Sequence, residues 1–229
     1  MAALNSVAGG GIQFSAKTIE GTVATSTVSN MMNRDHMRVF FRRAAALVAF
    51  VALLWAIHLV NWIIGYGLNP AFGLTPRHVS GLDGVIAMPL LHGSFAHLMA
   101  NTPPLLVMGG LLVATTTRAL LPVNAVVIGL GGGLVWLFGS SAIHIGASGL
   151  VFGWVGFLVA RGFVDRSLIT LGAALVVGVL YGSIRWGVLP GQPGVSWEAH
   201  LFGATAGAAA AFLIRTHVHA PRLGGVDLD

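Results

Sequence analysis

The chain has 229 residues, of which 55% are hydrophobic and 8% charged, with no cysteine and a formal net charge of +5. Because a soluble domain carries about 25% charged residues, this composition excludes a soluble globular protein and predicts one multi-pass membrane domain. The absence of cysteine excludes disulfides and thiol catalysis. Basic residues that flank membrane spans account for the positive charge, so we expect no nucleic-acid partner.

The N-terminal segment is polar and shows no clear periodicity. Residues 1–33 are rich in Ser, Thr, Gly, Ala and Asn, and four arginines follow before the first apolar stretch. This composition predicts a mobile cytoplasmic tail over residues 1–43.

Six apolar segments then follow, and a helical bilayer crossing needs about 20 such residues. They are Ala44–Gly65, Ser94–Thr116, Pro122–Gly139, Ser148–Phe163, Leu168–Leu189 and Trp197–Arg215. They predict an all-α membrane protein, a bundle of six transmembrane helices over residues 44–215, with a cytoplasmic tail over residues 216–229.

Lys and Arg predict the orientation of this bundle. With the N-terminus inside, every Lys and Arg except Arg77 and Arg185 falls on the inner face. Both termini are therefore expected on the cytoplasmic side of a bacterial plasma membrane. Four tryptophans then lie near the outer ends of their helices, as an aromatic belt does: Trp62, Trp136, Trp186 and Trp197.

Polar residues gather at the outer ends of three spans. His92, His97 and Asn101 lie at the start of span two, Ser148 opens span four, and His200 lies in the first turns of span six. Such residues at membrane depth are costly and generally functional. A serine needs an adjacent base to become a nucleophile, and His200 is the candidate.

Glycines on two spans allow these polar groups to meet. Gly149 and Gly153 follow Ser148, and Gly203 and Gly207 follow His200, which predicts close packing of spans four and six. The alternative is that the glycines serve helix packing alone, since the same spacing occurs at two other pairs: Gly129/Gly133 and Gly178/Gly182.

Donors for an oxyanion are also present. Ser148 at a helix N-terminus offers free backbone N–H groups, and His97 and Asn101 share one helix face at a spacing of four. The alternative for His97 and Asn101 is a structural hydrogen bond between helices.

Three motifs resemble those of the rhomboid family of intramembrane serine proteases. They are His97-Leu-Met-Ala-Asn101, Gly146-Ala-Ser-Gly149 and His200-Leu-Phe-Gly203-Ala-Thr-Ala-Gly207, on spans two, four and six. The resemblance covers about residues 40–215. It implies a serine endopeptidase that cleaves transmembrane segments of other proteins within the bilayer, without a metal or cofactor.

The resemblance also implies the role of each site residue. Ser148 is the nucleophile and His200 the base, and the oxyanion is held by His97, Asn101 and the backbone N–H of Ser148. His92 and the ring of Phe152 support the site. The number of subunits, the physiological substrate and the cleavage sequence are left open.

Three departures from the family pattern stand beside this match. Asp83-Gly84 occupies the place of a Trp-Arg pair, Phe152 stands where Tyr is common, and Pro103-Pro104 is expected to bend or loosen span two. The absence of the Trp-Arg pair and the presence of the two prolines keep open an alternative, a weak or inactive rhomboid-like protein that binds membrane helices. A transporter is disfavoured, because the spans contain no carboxylate site and the chain shows no inverted repeat.

Other polar residues have simpler interpretations. Glu198 is predicted to be a solvated rim residue and His144 a loop contact, while His58 and Asn61 are expected at the membrane interface. No metal-ligand spacing such as His-Glu-x-x-His occurs.

Overall fold

A computed structural model describes residues 16–116, 120–165, 172, 189–191 and 194–214. Helices make up this part of the chain, with one isolated bridge between Leu74 and His144. The α-helices are α1 (Ala16–Ile63), α2 (Leu68–Phe72), α3 (Gly84–Ala87), α4 (Phe95–Thr115), α5 (Leu120–Val126), α6 (Gly132–Phe138), α7 (Ser148–Asp165) and α8 (Trp197–Leu213).

Short helical turns lie between some of these helices. The 3₁₀ turns Val79–Gly81 and Met88–Leu90 flank α3. A π-helical turn, Val127–Gly131, joins α5 to α6, so that these three elements form one span.

Four helical segments of the described chain are long and apolar enough to cross a membrane. They are His36–Ile63, Phe95–Thr115, Leu120–Phe138 and Ser148–Asp165. The shorter apolar α8 matches the sixth predicted segment. The prediction of an all-α membrane protein is confirmed, while the predicted fifth span and the tail at 216–229 lie outside the described residues.

The first helix begins much earlier than its apolar stretch. It starts at Ala16 instead of Ala44, so most of the predicted N-terminal tail is helical. Between these residues the chain has no proline and a single glycine, Gly21, so nothing interrupts propagation of the helix. The chain divides into two units, Met1–Arg42 and Arg43–Asp229, and all contacts described below lie within the second.

Helix α4 continues through both of its prolines instead of ending there. Pro103 and Pro104 lie inside an unbroken helix that begins at the N-cap Ser94. Side-chain donors add hydrogen bonds in the preceding turn, since Thr102 Oγ1 donates to the Leu98 carbonyl (2.9 Å) and Asn101 Nδ2 donates to the His97 carbonyl (3.1 Å). The two prolines were expected to bend or loosen this span, but they do not interrupt helix α4.

Helix α7 lies at the centre of the packing. Most of its residues between Gly149 and Gly162 are buried, and its side chains Phe157 and Leu158 belong to the main hydrophobic core. Leu98 and Leu105 of α4 join the same core. The N-terminus of α7, where Ser148 lies, is thereby held by the most enclosed helix among those described.

Candidate active site

Ser148 is the first residue of α7, as predicted. The two preceding residues are buried, and Ser148 itself is half-buried. Gly146 has φ +119°, a conformation that L side chains rarely adopt, and its N–H donates to the Met88 carbonyl (2.9 Å). The loop thus turns sharply into the helix and presents the first-turn N–H groups beside the serine.

Helices α7 and α8 approach each other through glycine. A Cβ at Gly203 would overlap the Gly149 carbonyl oxygen, and a Cβ at Gly207 would overlap the Gly153 carbonyl oxygen. The predicted close packing of these two spans is confirmed. Around Gly129 and Gly133, a pair of the same spacing, no atom of the described residues lies within 4 Å of the Cβ positions, so this pair shows no such close contact there.

His200 lies on α8 against the face of α7 that carries Ser148. Its imidazole is buried and stacks on the Phe152 ring, with ring centroids 4.1 Å apart and planes inclined by 6°. Phe152 follows Ser148 by four residues, so the two share one helix face. The stack therefore holds the imidazole next to the turn that begins with Ser148.

His97 reaches the same loop from α4. A Cβ built on Gly146 would lie 2.7 Å from His97 Nε2 and 3.7 Å from Ser148 Oγ, so the imidazole and the hydroxyl border one small volume. Only glycine leaves room for the ring there. The backbone of His97 is fixed by Ser94, whose Oγ accepts its N–H (3.1 Å).

Asn101 is buried one turn below His97. Its Nδ2 donates to the His97 carbonyl of its own helix (3.1 Å), so one of its two amide hydrogens is used within α4. The second hydrogen is the one that could serve a ligand. Among the interactions of the described residues, Asn101 contributes no bond between helices, which was the structural alternative.

Three histidines form a row behind this volume. The ring centroids of His97 and His92 are 5.0 Å apart, and those of His92 and His58 are 6.4 Å apart. His58 and His92 are both buried. His92 lies in the loop before α4, where burial, aided by His97 and His58, lowers its pKa to about 3.

His58 and Asn61, which were expected at the membrane interface, lie near the end of α1. Both are buried, because the turn after α1 folds back over them. Asn61 Oδ1 accepts the N–H of Leu68 (3.0 Å), and Asn61 Nδ2 donates to Asn69 Oδ1 (2.8 Å). Asn61 thus fixes the start of the loop that leads to the site.

Glu198 is buried instead of solvated, which corrects its prediction. Its Oε1 accepts the N–H of Ser140 (3.1 Å), in the loop before Ser148. His144, as expected, makes loop contacts: Nδ1 lies 2.6 Å from Ser196 Oγ and Nε2 3.1 Å from the Ser140 carbonyl. These bonds tie the two loops that precede α7 and α8.

Arg77 anchors the loop that precedes α3, a role that the sequence did not reveal. Its NH1 donates to the Gly139 carbonyl at the end of α6 (2.7 Å), and Trp136 Nε1 donates back to the His78 carbonyl (2.9 Å). At the place of the family's Trp-Arg pair, Asp83 caps α3 by accepting the Gly84 N–H (2.9 Å). In the sequence, Arg77 stood out only as one of the two basic residues predicted on the outer face.

Arg161 joins the other ends of α7 and α8. It is buried, pairs with Asp165, and donates through NH1 to the Ile214 carbonyl (2.9 Å). The sequence indicated Arg161 only as a basic residue on the predicted inner face. In the structure it also joins α7 to the end of α8. Among the described residues, no three or more His, Asp or Glu side chains lie together in a way that could hold a metal ion.

Fold and site together define a class: a helical membrane protein in which a serine begins one helix and a histidine of the neighbouring helix stacks on an aromatic ring one turn after that serine. The Rhomboid domain model matches residues 80–217, which include α3 to α8 and the candidate site residues His92, His97, Asn101, Ser148, Phe152 and His200. The chain belongs to the rhomboid family.

Its relatives include proteins from mycobacteria. An uncharacterised protein of Mycobacterium tuberculosis (strain ATCC 25618 / H37Rv) is 42% identical over 177 residues, which cover 73% of each chain. One of Mycobacterium leprae is 36% identical over 178 residues, 73% of this chain and 70% of that protein. RHOMBOID-like protein 4 of Arabidopsis thaliana is 30% identical over 167 residues, 65% of this chain and 42% of that protein.

Proposed function

We propose that the protein is an intramembrane serine endopeptidase that cleaves transmembrane segments of other membrane proteins. The observation that carries the proposal is the stack of His200 on Phe152, one helical turn from Ser148 and on the same face of α7. The family match and the glycine contacts between α7 and α8 support the same pairing.

The chemistry follows from these groups. Ser148 Oγ attacks the scissile carbonyl while His200, as the neutral imidazole, takes its proton and later delivers it to the leaving amine. The Ser148 N–H, His97 and the second amide hydrogen of Asn101 hold the oxyanion. Water then hydrolyses the acyl-enzyme with His200 again as base.

The substrate is a membrane helix that unwinds locally. A helical carbonyl is already hydrogen-bonded within its own backbone, so a short segment must open before the serine can attack. The distribution of Lys and Arg supports cytoplasmic termini and a site near the outer face of a bacterial plasma membrane.

The test uses purified protein, a fluorophosphonate probe and a transmembrane model substrate. Wild type should be labelled and cleave the substrate, while Ser148→Ala and His200→Ala should lose both activities and still fold. Glu198→Gln should keep most activity, because that carboxylate binds Ser140 N instead of the base. A wild type that folds and binds the substrate helix but neither cleaves nor labels would establish the non-catalytic alternative.

Asn101→Ala tests the oxyanion assignment separately. Loss of one such donor costs ~100- to 1000-fold in turnover, so kcat should fall far more than KM changes. A kcat that stays close to the wild-type value would remove Asn101 from the site and leave the Ser148–His200 pair untouched.

A further inference from the structure

An apolar cavity of about 610 Å³ lies among the helices of the bundle. It opens between α1, α4, α5 and α7, with the turn Met88–Leu90 at its outer end. Its wall is formed mainly by aliphatic side chains, such as Leu47, Leu112, Leu120 and Leu150.

The polar groups in the middle of this wall satisfy one another. Trp154 Nε1 donates to Asn124 Oδ1 (2.8 Å), and Asn124 Nδ2 donates to the Leu120 carbonyl (2.8 Å). A polar ligand would therefore find few partners along the cavity. The interior suits a hydrocarbon chain.

One end of the cavity carries a positive charge. Arg43 lines it there, and its NH1 donates to the carbonyl of Thr116, which directly follows α4 (3.2 Å). Arg43 directly precedes the first apolar segment of the sequence, so its guanidinium lies at the level where lipid headgroups begin.

The length of the cavity corresponds to one leaflet. On one side its wall runs from Leu120 in α5 to Ile128 in the π-helical turn, a rise of about 12 Å at 1.5 Å per residue, against about 15 Å for half of a bilayer's hydrocarbon core. One acyl chain fits this depth while its phosphate lies beside Arg43.

We infer that this cavity is a binding site for one anionic phospholipid, with an acyl chain along α5 and the phosphate on Arg43. Lipid tails are as apolar as the wall, so the wall alone gives little preference over bulk lipid. The preference for this site comes from the charge, as in other basic pockets between membrane helices. This inference is independent of the proposed proteolysis.

The site also touches the candidate active site. Leu150 of the wall lies two residues after Ser148, and Pro89 of the wall follows Met88, whose carbonyl holds Gly146. A lipid that binds only the folded protein stabilises it according to its concentration and affinity. Bound lipid should therefore raise the unfolding temperature of the bundle.

The experiment is native mass spectrometry of the full-length protein taken from bilayers with equal phosphatidylglycerol and phosphatidylcholine. Wild type should retain one phosphatidylglycerol in preference to phosphatidylcholine. Arg43→Gln should weaken retention about fivefold, the equivalent of about 1 kcal/mol for one basic residue at a membrane surface. Arg43→Lys should retain the lipid, and so should Arg42→Gln, which changes the adjacent exposed arginine.

A second variant blocks the apolar part and leaves the charge. Ala46 lines the cavity one turn after Arg43 and is exposed, so Ala46→Trp should expel the lipid while the protein keeps its unfolding temperature in detergent. Equal retention of the two lipids by wild type, equal losses in Arg42→Gln and Arg43→Gln, or full retention by a folded Ala46→Trp would each overturn the inference.

Discussion

The imidazole of His200 lies parallel to the ring of Phe152, with 4.1 Å between their centroids. Because Phe152 is one turn from Ser148, this stack sets where the proposed base lies. An aromatic pair contributes about 0.5–1.5 kcal/mol beyond its buried area. Phe152→Leu should thus lower kcat by up to about tenfold without changing the unfolding temperature much.

The matched control for this variant is Phe152→Tyr, which keeps the ring. It should cleave the model substrate at close to the wild-type rate. If Phe152→Leu cleaves as fast as Phe152→Tyr, the stack does not position His200, and another contact must hold the imidazole.

Glycines that face α7 should be irreplaceable, whereas glycines that face open space should not. A methyl group at Gly207 would overlap the Gly153 carbonyl. Overpacking of this kind costs about 1–3 kcal/mol or more, so Gly207→Ala should lower the unfolding temperature in detergent and reduce cleavage with it.

Gly133→Ala provides the comparison within the same bundle. Gly133 lies in α6 with no atom of the described residues within 4 Å of the added methyl, and Ala favours a helix over Gly by about 1 kcal/mol. Its unfolding temperature should match or exceed that of wild type. Equal destabilisation by the two substitutions would contradict the proposed close contact of α7 and α8.

Gly146→Ala should remove activity by displacing His97. The methyl would lie 2.7 Å from His97 Nε2, and the ring would have to leave the volume that it shares with Ser148 Oγ. The loss of one oxyanion donor predicts a decrease in kcat of ~100-fold or more. Cleavage kinetics and probe labelling of Ser148 measure the effect.

Backbone strain must be separated from this clash. Gly191 also has a positive φ, +104°, but no atom of the described residues lies within 4 Å of its Cβ position. Gly191→Ala should therefore show the cost of strain alone, with kcat little changed. A comparable drop in kcat for both variants would mean that strain, and not the position of His97, is responsible.

Acid should destabilise the protein through His92. Burial lowers the pKa of His92 to about 3 in the folded chain, against 6.5 as the ordinary value. Between these pH values the unfolded chain takes up a proton that the folded chain does not, so stability falls as the pH decreases from about 6.5 towards 3. Unfolding temperatures measured from pH 7.5 to 4.5 should decrease accordingly.

A substitution without a titrating group isolates this contribution. His92→Gln should flatten the pH dependence of the unfolding temperature, while His78→Gln, which changes an exposed histidine, should leave it as in wild type. An unchanged pH dependence in His92→Gln would show that the acid sensitivity arises elsewhere.

Sequence by itself determined the helical membrane fold, the position of Ser148 at the start of α7, and the glycine contacts between α7 and α8. These features follow from local properties: a run of apolar residues predicts a span, and small residues spaced by four predict a close helix face. The same spacing at Gly129 and Gly133 was uninformative, because spacing alone does not tell which face meets a neighbour.

Only the tertiary structure decided which polar residues are enclosed. His58, Asn61 and Glu198 lie near the ends of spans, where a sequence predicts an interface or a solvated rim, yet each is buried in the folded chain. The stack of His200 on Phe152 is likewise a contact between residues 48 positions apart. Burial of a polar group depends on what folds over it, and hydropathy along one segment does not contain that information.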